Sequence, residues 1–504
     1  MEIRLAGYNV ESEILEQIPA TDEPLTPEVI SAAYARISRS AKDIRSLRQQ
    51  ARQDVQKARG SNKTIIFKMG HHSVAEHAVF NFDIVGVSRL ALEEIEKFRL
   101  VSYTEKSQRY VTLEGDYVLP VEISDSAARK KFIDTVELQN AFYKKAFAIL
   151  KEYLFDTYPT HLETKAGRHE VEGWAKEDAR YILSLATQGQ VGVTINARNL
   201  EHLFRRFSLS SRGEVREIGK IMFSQVEKIA PSLILFPEPS RFETQLKDSF
   251  KKVVLETFPL PAEKEREKPG KGPVILDYTH HADEMILASF LTLYGTMEYQ
   301  AAYKTVEKLS PVEKENLFRE LFNDMEFFDA PPREFELPDF TFQAVISASN
   351  FAQLKRHRIA TLLTGDYDID FGNTIPESLR INGLEDEFNE IIHETNRVYI
   401  QLQENHGAAA DYILTNSHCR PVVMKMNLRE FYHFVRLRSD EHAQWDIRTL
   451  SQQLLLKIKE LIPYSTLLLC GKSDYTGEFE KIYHRKPRLH LDGNQAIPTE
   501  APAY

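Results

Sequence analysis

The feature that most constrains this chain is an internal repeat, because a segment that recurs in the same order is expected to fold the same way twice. In each half, two alternating phenylalanines precede a serine, and an arginine follows that serine eleven residues later. The matching pairs, first half first, are Phe80 and Phe340, Phe82 and Phe342, Ser88 and Ser347, Arg99 and Arg358, Asn196 and Asn427, Arg216 and Arg448. The sequence therefore predicts a tandem duplication whose two copies have diverged.

A charged segment that ends in proline and glycine separates the two copies. On composition alone, residues 263–273 fit a long surface loop within one domain as well as a linker between two domains. The repeat on either side of the segment decides for a linker. We therefore predict a first domain at 1–262, a second domain at 274–474 and a C-terminal extension without catalytic parts at 475–504.

Composition is that of a soluble globular protein and argues against several other classes. Of the 504 residues, 42% are apolar and 27% are charged, and a net charge of -10 argues against a protein that coats nucleic acid. Cys419 and Cys470 are too few for a disulfide framework or a thiolate metal site. The sequence starts without a signal-peptide pattern, and no apolar run approaches membrane-spanning length. We expect a cytoplasmic protein without membrane or nucleic-acid partners.

Two groups of polar residues in the first copy suggest binding chemistry. His71, His72 and His77 cluster before the first repeated strand, but they lack the cysteines or the clean i, i+4 histidine pair of a zinc site. Further on, Ser107 and Arg109 share one side of an extended segment, and a guanidinium with a nearby hydroxyl suits a phosphate. A loop salt bridge explains the second group equally well.

The basic run Arg356–Arg358 of the second copy has two ordinary explanations. It fits the solvated face of a helix, and it also fits a basic patch for RNA. Taken alone, this run therefore predicts no particular ligand.

Taken together and in this order, the motifs resemble the flavin-dependent thymidylate synthases. That family carries Gly-His-x-Ser/Thr-x-x-Glu-His, an Arg-His-Arg triplet, Ser-x-Asn-Glu-x-Ser-x-Arg-Tyr, Ala-Arg, Asn-x-Arg and Arg-x-x-x-His-Ala-Gln. The matching segments here are Gly70–His77, Arg356–Arg358, Ser102–Tyr110, Ala179–Arg180, Asn196–Arg198 and Arg438–Gln444. Near the start, Ala35–Ser38 resembles the opening helix of the family.

The two copies have lost different parts of this pattern. In the first copy, Lys97 and Phe98 interrupt the triplet, Glu94 replaces a glutamine and Phe207 replaces the late arginine. The second copy lacks the histidine–glutamate motif and the Ser-x-Arg-Tyr run, and Asp411 replaces the arginine of Ala-Arg. In the family, different subunits supply these two sets to each active site. The resemblance therefore implies composite sites, to which each copy contributes the set that it retains.

The resemblance also implies a role for each retained residue. Arg438 and Arg180 are the expected catalytic residues, because they would polarise the uracil carbonyls. The expected substrate contacts are Gln353, Glu105, Ser107, Arg109, Arg180 and Arg438. The expected contacts with FAD are Ser38, His71, Ser73, Glu76, Asn196, Arg356, His357, Arg358, Asn427 and His442. The family requires no side-chain nucleophile, and we expect no metal site.

The implied reaction is methylation of dUMP to dTMP, with FAD as cofactor and with NADPH and methylenetetrahydrofolate as co-substrates. The implied fold is α+β, with two tandem domains that each contain a small sheet covered by helices. The implied assembly is a homodimer, which would supply four repeats in place of the four subunits of the family. Thr104 stands where the family has asparagine, which leaves open a flavoenzyme that acts on another pyrimidine nucleotide. A non-catalytic scaffold that binds flavin or nucleotide is the other alternative.

Overall fold

The computed structural model describes residues 1–15, 25–37, 40–108, 113, 115–258, 270 and 272–489 of the chain. Most of the predicted linker 263–273 lies outside the described residues. The expected site residues Ser38 and Arg109 also lie outside them.

Each copy contains one four-stranded antiparallel sheet. In the first sheet, β1 (Glu2–Tyr8), β2 (Val79–Ser88), β3 (Val101–Glu105) and β4 (Gln188–Asn196) lie in the order β1-β2-β4-β3. In the second sheet, β5 (Val274–Tyr278), β6 (Asp339–Ser347), β7 (Thr361–Thr364) and β8 (Cys419–Asn427) lie in the order β5-β6-β8-β7. The same strand order occurs twice, which confirms the predicted duplication and the α+β class.

A single inserted residue accounts for a difference in spacing between the copies. The first copy has one more residue than the second between its paired phenylalanines and the following serine. In β2 the register shifts between Val85 and Val87, at Gly86, whose φ is 69°. The pairing of β6 with β8 is continuous. The β-bulge absorbs the extra residue, so both strands still end on a buried serine, Ser88 or Ser347.

Twenty α-helices surround the sheets in the described part of the chain. In the first copy they are α1 (Ser12–Leu15), α2 (Glu28–Ile37), α3 (Ile44–Gln53), α4 (Val55–Lys63), α5 (Arg89–Ile95), α6 (Ser126–Thr157), α7 (Lys165–Ala179), α8 (Ala197–Ser208), α9 (Gly213–Val226), α10 (Arg241–Gln245) and α11 (Lys251–Thr257). In the second they are α12 (Ala282–Gly295), α13 (Tyr299–Glu307), α14 (Pro311–Phe322), α15 (Ala348–Leu354), α16 (Glu377–Ile381), α17 (Glu385–His406), α18 (Leu428–Arg438), α19 (Trp445–Leu461) and α20 (Tyr475–Tyr483).

The buried serine at the end of β2 or β6 anchors the short helix that follows. Each serine hydroxyl accepts the backbone N–H three residues on, which caps α5 or α15. The same hydroxyl donates to a carboxylate near the start of α9 or α19, from Ser88 to Glu214 and from Ser347 to Asp446, both at 2.6 Å. Each short helix is therefore held at a fixed place, and the triplet region follows it directly.

Each sheet has its own hydrophobic core. The buried side chains of β2 and β4 form one apolar cluster with those of α8 and α9, and the buried side chains of β6 and β8 form another with those of α18 and α19. On α19, four apolar residues spaced three or four apart are buried, namely Ile447, Leu450, Leu454 and Ile458. Leu461 at the end of the helix is 37% exposed. Two similar cores are what a duplicated fold requires.

The compact units of the structure differ from the contiguous domains 1–262 and 274–474. The first unit comprises Met1–Glu267 together with Ile375–Asn416, and the second comprises Lys268–Thr374 with Ser417–Tyr504. The segment Ile375–Asn416 lies in the second copy in sequence but belongs to the first unit. It contains α17, which packs on α6. Gln139 of α6 donates to Thr395 of α17 at 2.9 Å, and Phe142 meets Phe388 with ring centroids 5.9 Å apart. The helical insertion of the second copy therefore completes the first unit, because its apolar face is buried there.

The helix α20 belongs to the core of the second unit, although the sequence placed it in an extension at 475–504. Its side chains Tyr475 and Phe479 are 2% and 1% exposed and join the second apolar cluster. No helix in the described ranges is both long and apolar enough to span a membrane.

Candidate functional site

The basic triplet of the second copy lies just after α15. The imidazole of His357 is buried, Arg356 is half-buried and Arg358 is exposed. Burial therefore differs between neighbouring side chains of the triplet. The side chain of His357 is enclosed by protein, whereas those of Arg356 and Arg358 are partly or largely accessible to solvent.

Arg438, at the end of α18, binds two residues of the α15 region. Its Nε donates to Nε2 of His357 at 3.0 Å, its Nη1 to Oε1 of Gln353 at 3.2 Å, and its Nη2 to the backbone carbonyl of Gln353 at 3.1 Å. Three hydrogen bonds from one planar group fix its orientation. The structure thus brings together three residues that the sequence assigned to substrate and flavin, and we call them the Arg438 cluster.

His357 acts in this cluster as a neutral acceptor. Burial lowers its pKa well below the ordinary value of 6.5, and the positive charges of Arg438 and His433 lower the pKa further. Because the Nε of Arg438 can only donate, Nε2 of His357 must accept, and the ring proton must be on Nδ1. The imidazole therefore orients the guanidinium without adding a second charge.

A cavity of about 430 Å³ opens beside the triplet in the second unit. Arg356, His357 and Arg358 line it, together with Asn427 and His433 on α18 and the strand before it. Arg429 also lines the cavity, as do the carboxyl groups of Glu336 and Glu430. The arginines are the groups that would attract an anionic ligand such as a phosphate. His442 does not line this cavity, and its side chain is 72% exposed next to Asp440 and Glu441, with Nδ1 to carboxylate distances of 3.7 Å.

Asn196 and Asn427 occupy equivalent places at the starts of α8 and α18. The side-chain oxygen of Asn196 accepts the backbone N–H of Asn199 at 2.9 Å, and that of Asn427 accepts the N–H of Glu430 at 2.8 Å. Each asparagine therefore caps a helix. Their expected contacts with FAD remain a prediction.

In the first unit, Arg180 lies beside the run that follows β3. Arg180 is 4% exposed, and its backbone carbonyl accepts from the side-chain amide of Asn416 at 3.0 Å. The same amide donates to Oε1 of Gln108 at 3.3 Å. Glu105 and Ser107 in this run are half-buried. Asn416 therefore links the backbone of Arg180 to Gln108, the residue that follows Ser107.

The histidine–glutamate motif of the first copy forms a short helical turn at the surface. His71 and Ser73 are exposed, and Glu76 accepts from Nη1 of Arg198 at 2.5 Å. Arg198 was not among the expected site residues, although its motif was recognised through Asn196. Within the described ranges, no three or more His, Cys, Asp or Glu side chains are placed to hold a metal ion.

The first unit has a different structure at the positions of the Arg438 cluster. Phe98 stands at the position of His357, and Phe207 stands at the position of Arg438. Their ring centroids are 6.1 Å apart in an edge-to-face contact, and both residues belong to the first apolar core. An apolar contact has therefore replaced the polar pair.

Glu94 and Lys97, which precede Phe98 in the chain, take part in ion pairs. Glu94, at the position of Gln353, accepts from Lys97 at 2.7 Å and lies 3.4 Å from Arg212. Arg212 also donates to Asp411 at 2.5 Å, and the side chains of this pair are 12% and 11% exposed. Burial lowers the pKa of Arg212, but the charges of Asp411 and Glu94 outweigh that effect and raise it overall. We call Glu94, Lys97, Arg212 and Asp411 the Arg212 cluster.

The sequence interpretation missed Arg212 and Glu430, which contacts His357. Both could have been found by comparing the copies position by position. Arg212 precedes Glu214 by two residues, just as Gln444 precedes Asp446, and Glu430 has Asn199 as its counterpart. In both cases, a charged residue in one copy corresponds to a neutral residue at the equivalent position of the other copy.

Known proteins match the chain both in halves and as a whole. The family model described as thymidylate synthase complementing protein matches residues 21–232 and again residues 274–464. A protein of Clostridium tetani named flavin-dependent thymidylate synthase is 34% identical over 179 residues, which cover 35% of this chain and 69% of that protein. A protein of Thermoplasma acidophilum named UPF0159 protein Ta1429 is 24% identical over 469 residues, which cover 86% of this chain and 93% of that protein. A UPF0159 protein of Chlamydia muridarum is 23% identical over 472 residues, 87% of this chain and 89% of its own length. The doubled form therefore occurs in other proteins as well.

Proposed function

This chain belongs to the thymidylate synthase complementing protein family, as a tandem duplication, and we propose that it methylates dUMP to dTMP as a flavin-dependent thymidylate synthase. FAD is the proposed cofactor, and NADPH and methylenetetrahydrofolate are the proposed co-substrates. The proposal rests on family membership and on the Arg438 cluster, which retains the expected substrate-side residues of the second copy in one hydrogen-bonded group. The homodimer and the cytoplasmic location remain predictions.

The Arg438 cluster suits the polarisation of a pyrimidine ring. A guanidinium held by three hydrogen bonds reorganises little when charge develops on a substrate oxygen, and a donor fixed in advance is worth most in a partly buried site. We propose that Arg438 and Arg180 donate to the uracil carbonyls and so stabilise the charge that develops during reaction at C5. Gln353, Ser107 and Arg109 would hold the nucleotide in position.

The residues around the cavity in the second unit fit the charged part of FAD. A diphosphate needs cationic or N–H donors, and Arg356 and Arg358 supply two guanidinium groups at the wall of a cavity of about 430 Å³. Arg429, Glu336 and Glu430 line the same cavity. When bound, FAD supplies the hydride that completes the methyl group. Neutral His357 keeps a second positive charge out of the Arg438 cluster and holds the guanidinium of Arg438 in place.

We further propose that each working site takes the Arg438 cluster from the second copy and Glu105, Ser107, Arg109 and Arg180 from the first. The complementary losses support this proposal, because random decay would not leave each copy with the set that the other lacks. The two copies could belong to one chain or to two chains of a dimer.

The proposal is tested by incubating the full chain, reconstituted with FAD, with dUMP, methylenetetrahydrofolate and NADPH. We expect dTMP, and we expect Arg109→Ala and Arg438→Ala each to lower its formation strongly while FAD stays bound. Product from another pyrimidine nucleotide, with none from dUMP, would favour the related flavoenzyme. Bound FAD without turnover of any pyrimidine nucleotide would favour the scaffold protein.

A further inference from the structure

Glu430, in the first turn of α18, faces the side of His357 that Arg438 leaves open. Its Oε1 lies 3.6 Å from Nδ1 of His357, and the two side chains are 7% and 2% exposed. The distance exceeds that of a hydrogen bond, and Nδ1 has no hydrogen-bond partner among the described residues. The buried carboxyl group of Glu430 therefore lies next to the buried Nδ1 of His357. The partners of the imidazole decide which of its two ring nitrogens carries the proton.

The hydrogen bond that Arg438 donates to His357 determines whether Nδ1, the nitrogen beside Glu430, carries the ring proton. Because Nε2 of His357 accepts, the ring proton is on Nδ1 and points to the side of Glu430. An oxygen near Nδ1–H favours this tautomer over the one with the proton on Nε2, which would place two donors against each other at Arg438. His433 and Phe434 are the other rings that pack near His357.

The first copy provides an internal control for this arrangement. At the positions of Glu430, His357 and Arg438 it has Asn199, Phe98 and Phe207. Asn199 turns its side-chain amide to the capping oxygen of Asn196, at 2.9 Å. A carboxylate that only stabilised the start of the helix would be equally useful in both copies. Its absence where the histidine and the arginine are absent points to a role through them.

We propose that Glu430 is a positioning residue, which selects the Nδ1–H tautomer of His357 and thereby holds Arg438 in the orientation that polarises the substrate. Its effect on turnover rests on the proposed function, but its effect on the tautomer does not. Glutamine at this position would keep an oxygen near Nδ1, whereas leucine would remove it at similar volume. The first prediction is therefore that Glu430→Gln behaves like the unchanged protein and Glu430→Leu does not.

The test is nitrogen-15 NMR of the full chain with labelled histidine, in which His357→Phe identifies the signals of His357. We expect the Nδ1–H tautomer in the unchanged protein and in Glu430→Gln, and a mixture or the Nε2–H tautomer in Glu430→Leu. Asp339→Asn removes a carboxylate that pairs with Lys425 at the surface and should change nothing. If Glu430→Leu does not fold, Glu430→Asn, the residue of the first copy, takes its place and should also show the shift.

Turnover supplies a second readout. In metal sites, removing the partner that orients a ligating histidine costs roughly 10-fold to 100-fold in affinity or activity. By analogy, we expect a kcat/KM for dUMP lower by about that factor in Glu430→Leu and rescue in Glu430→Gln. An unchanged tautomer in Glu430→Leu would overturn the proposal, whatever its activity. A changed tautomer in a chain without thymidylate synthase activity would keep the positioning role and reject only the proposed reaction.

Discussion

The two copies use equivalent positions for opposite purposes. In the second unit, Gln353, His357 and Arg438 form a hydrogen-bonded cluster. In the first unit, Phe98 and Phe207 pack against each other within the core. The same backbone framework of strand, short helix and following turn supports both. The fold therefore tolerates either arrangement, and the choice between them reflects function.

The comparison also shows how a lost polar site is made stable. In the first unit, Glu94 and Asp411 are carboxylates whose side chains are 23% and 11% exposed. Arg212 contacts both of them, and Lys97 contacts Glu94. Because an unpaired charge with little solvent contact is costly, the replacements are stable only as a group. We therefore interpret the Arg212 cluster as structural.

The largest expected effect is on catalysis and follows from the loss of Arg438, whose equivalent in the first unit is Phe207. Loss of one fixed donor to a developing charge costs about 100-fold to 1000-fold in kcat, so Arg438→Ala should lower dTMP formation by that factor. Phe207→Leu changes the equivalent position of the first unit and should leave turnover per folded chain unchanged. Steady-state kinetics of both variants measure the difference, and equal losses would contradict distinct roles.

The next effect is on stability and addresses the Arg212 cluster. Asp411→Ala leaves a nearly buried guanidinium with less compensation and should lower the free energy of unfolding of the first unit by about 3 kcal/mol. Lys145→Ala breaks an ion pair with Glu387 in which the side chains are 51% and 41% exposed, and it should cost less than about 1 kcal/mol. Urea denaturation compares them, and a cost for Asp411→Ala as small as the control would remove the structural role.

A third effect is the pH dependence that buried His357 imposes. Because its pKa is lower in the folded state than the ordinary 6.5, the unfolded chain binds a proton more readily. Its contribution to stability is therefore complete above pH 6.5 and is lost as the pH falls from 6.5 towards the folded-state pKa, at up to about 1.4 kcal/mol per pH unit. Denaturation at pH 5.5 and 7.5 should show a smaller slope for His357→Phe, whereas exposed His169→Asn should keep the original slope.

The smallest effect concerns the bulge that distinguishes β2 from β6. Gly86 has φ of 69°, and an added Cβ would lie 3.3 Å from the backbone nitrogen of Met1. Gly86→Ala should therefore cost about 1–2 kcal/mol. At Gly192, on the paired strand, an added Cβ would meet nothing within 4 Å, so Gly192→Ala should be neutral or slightly stabilising. Thermal unfolding of the two variants would sharpen the comparison of the strands.

Much of the fold followed from local sequence patterns. The alternating phenylalanines that recur in both copies lie in β2 and β6, one of the two central strands of each sheet. The helical insertion 375–416 could not be assigned to the first unit in this way, because its own sequence shows that it has an apolar face but not which helix covers that face. Partners of an amphipathic helix are decided by tertiary packing.

The candidate site was predictable only where a motif carried it. The Arg438 cluster followed from the resemblance, since its members lie in two recognisable motifs. The hydrogen bonds within it, and the approach of Glu430 to His357, depend on how α15 and α18 pack. Comparison of the copies could have singled out Arg212, but not its ion pair, because its partner Asp411 is 199 residues away in the chain.

The central claim is that the two copies retain complementary halves of one kind of site. The most direct measurement is the number of FAD molecules bound per chain, obtained from the absorbance of flavin released from purified, FAD-saturated protein. We predict about one FAD per chain, because only one of the two copies retains the arginine triplet and the Arg438 cluster. Two FAD molecules per chain would show that the position with Phe98 and Phe207 also forms a working flavin site, and would contradict the account.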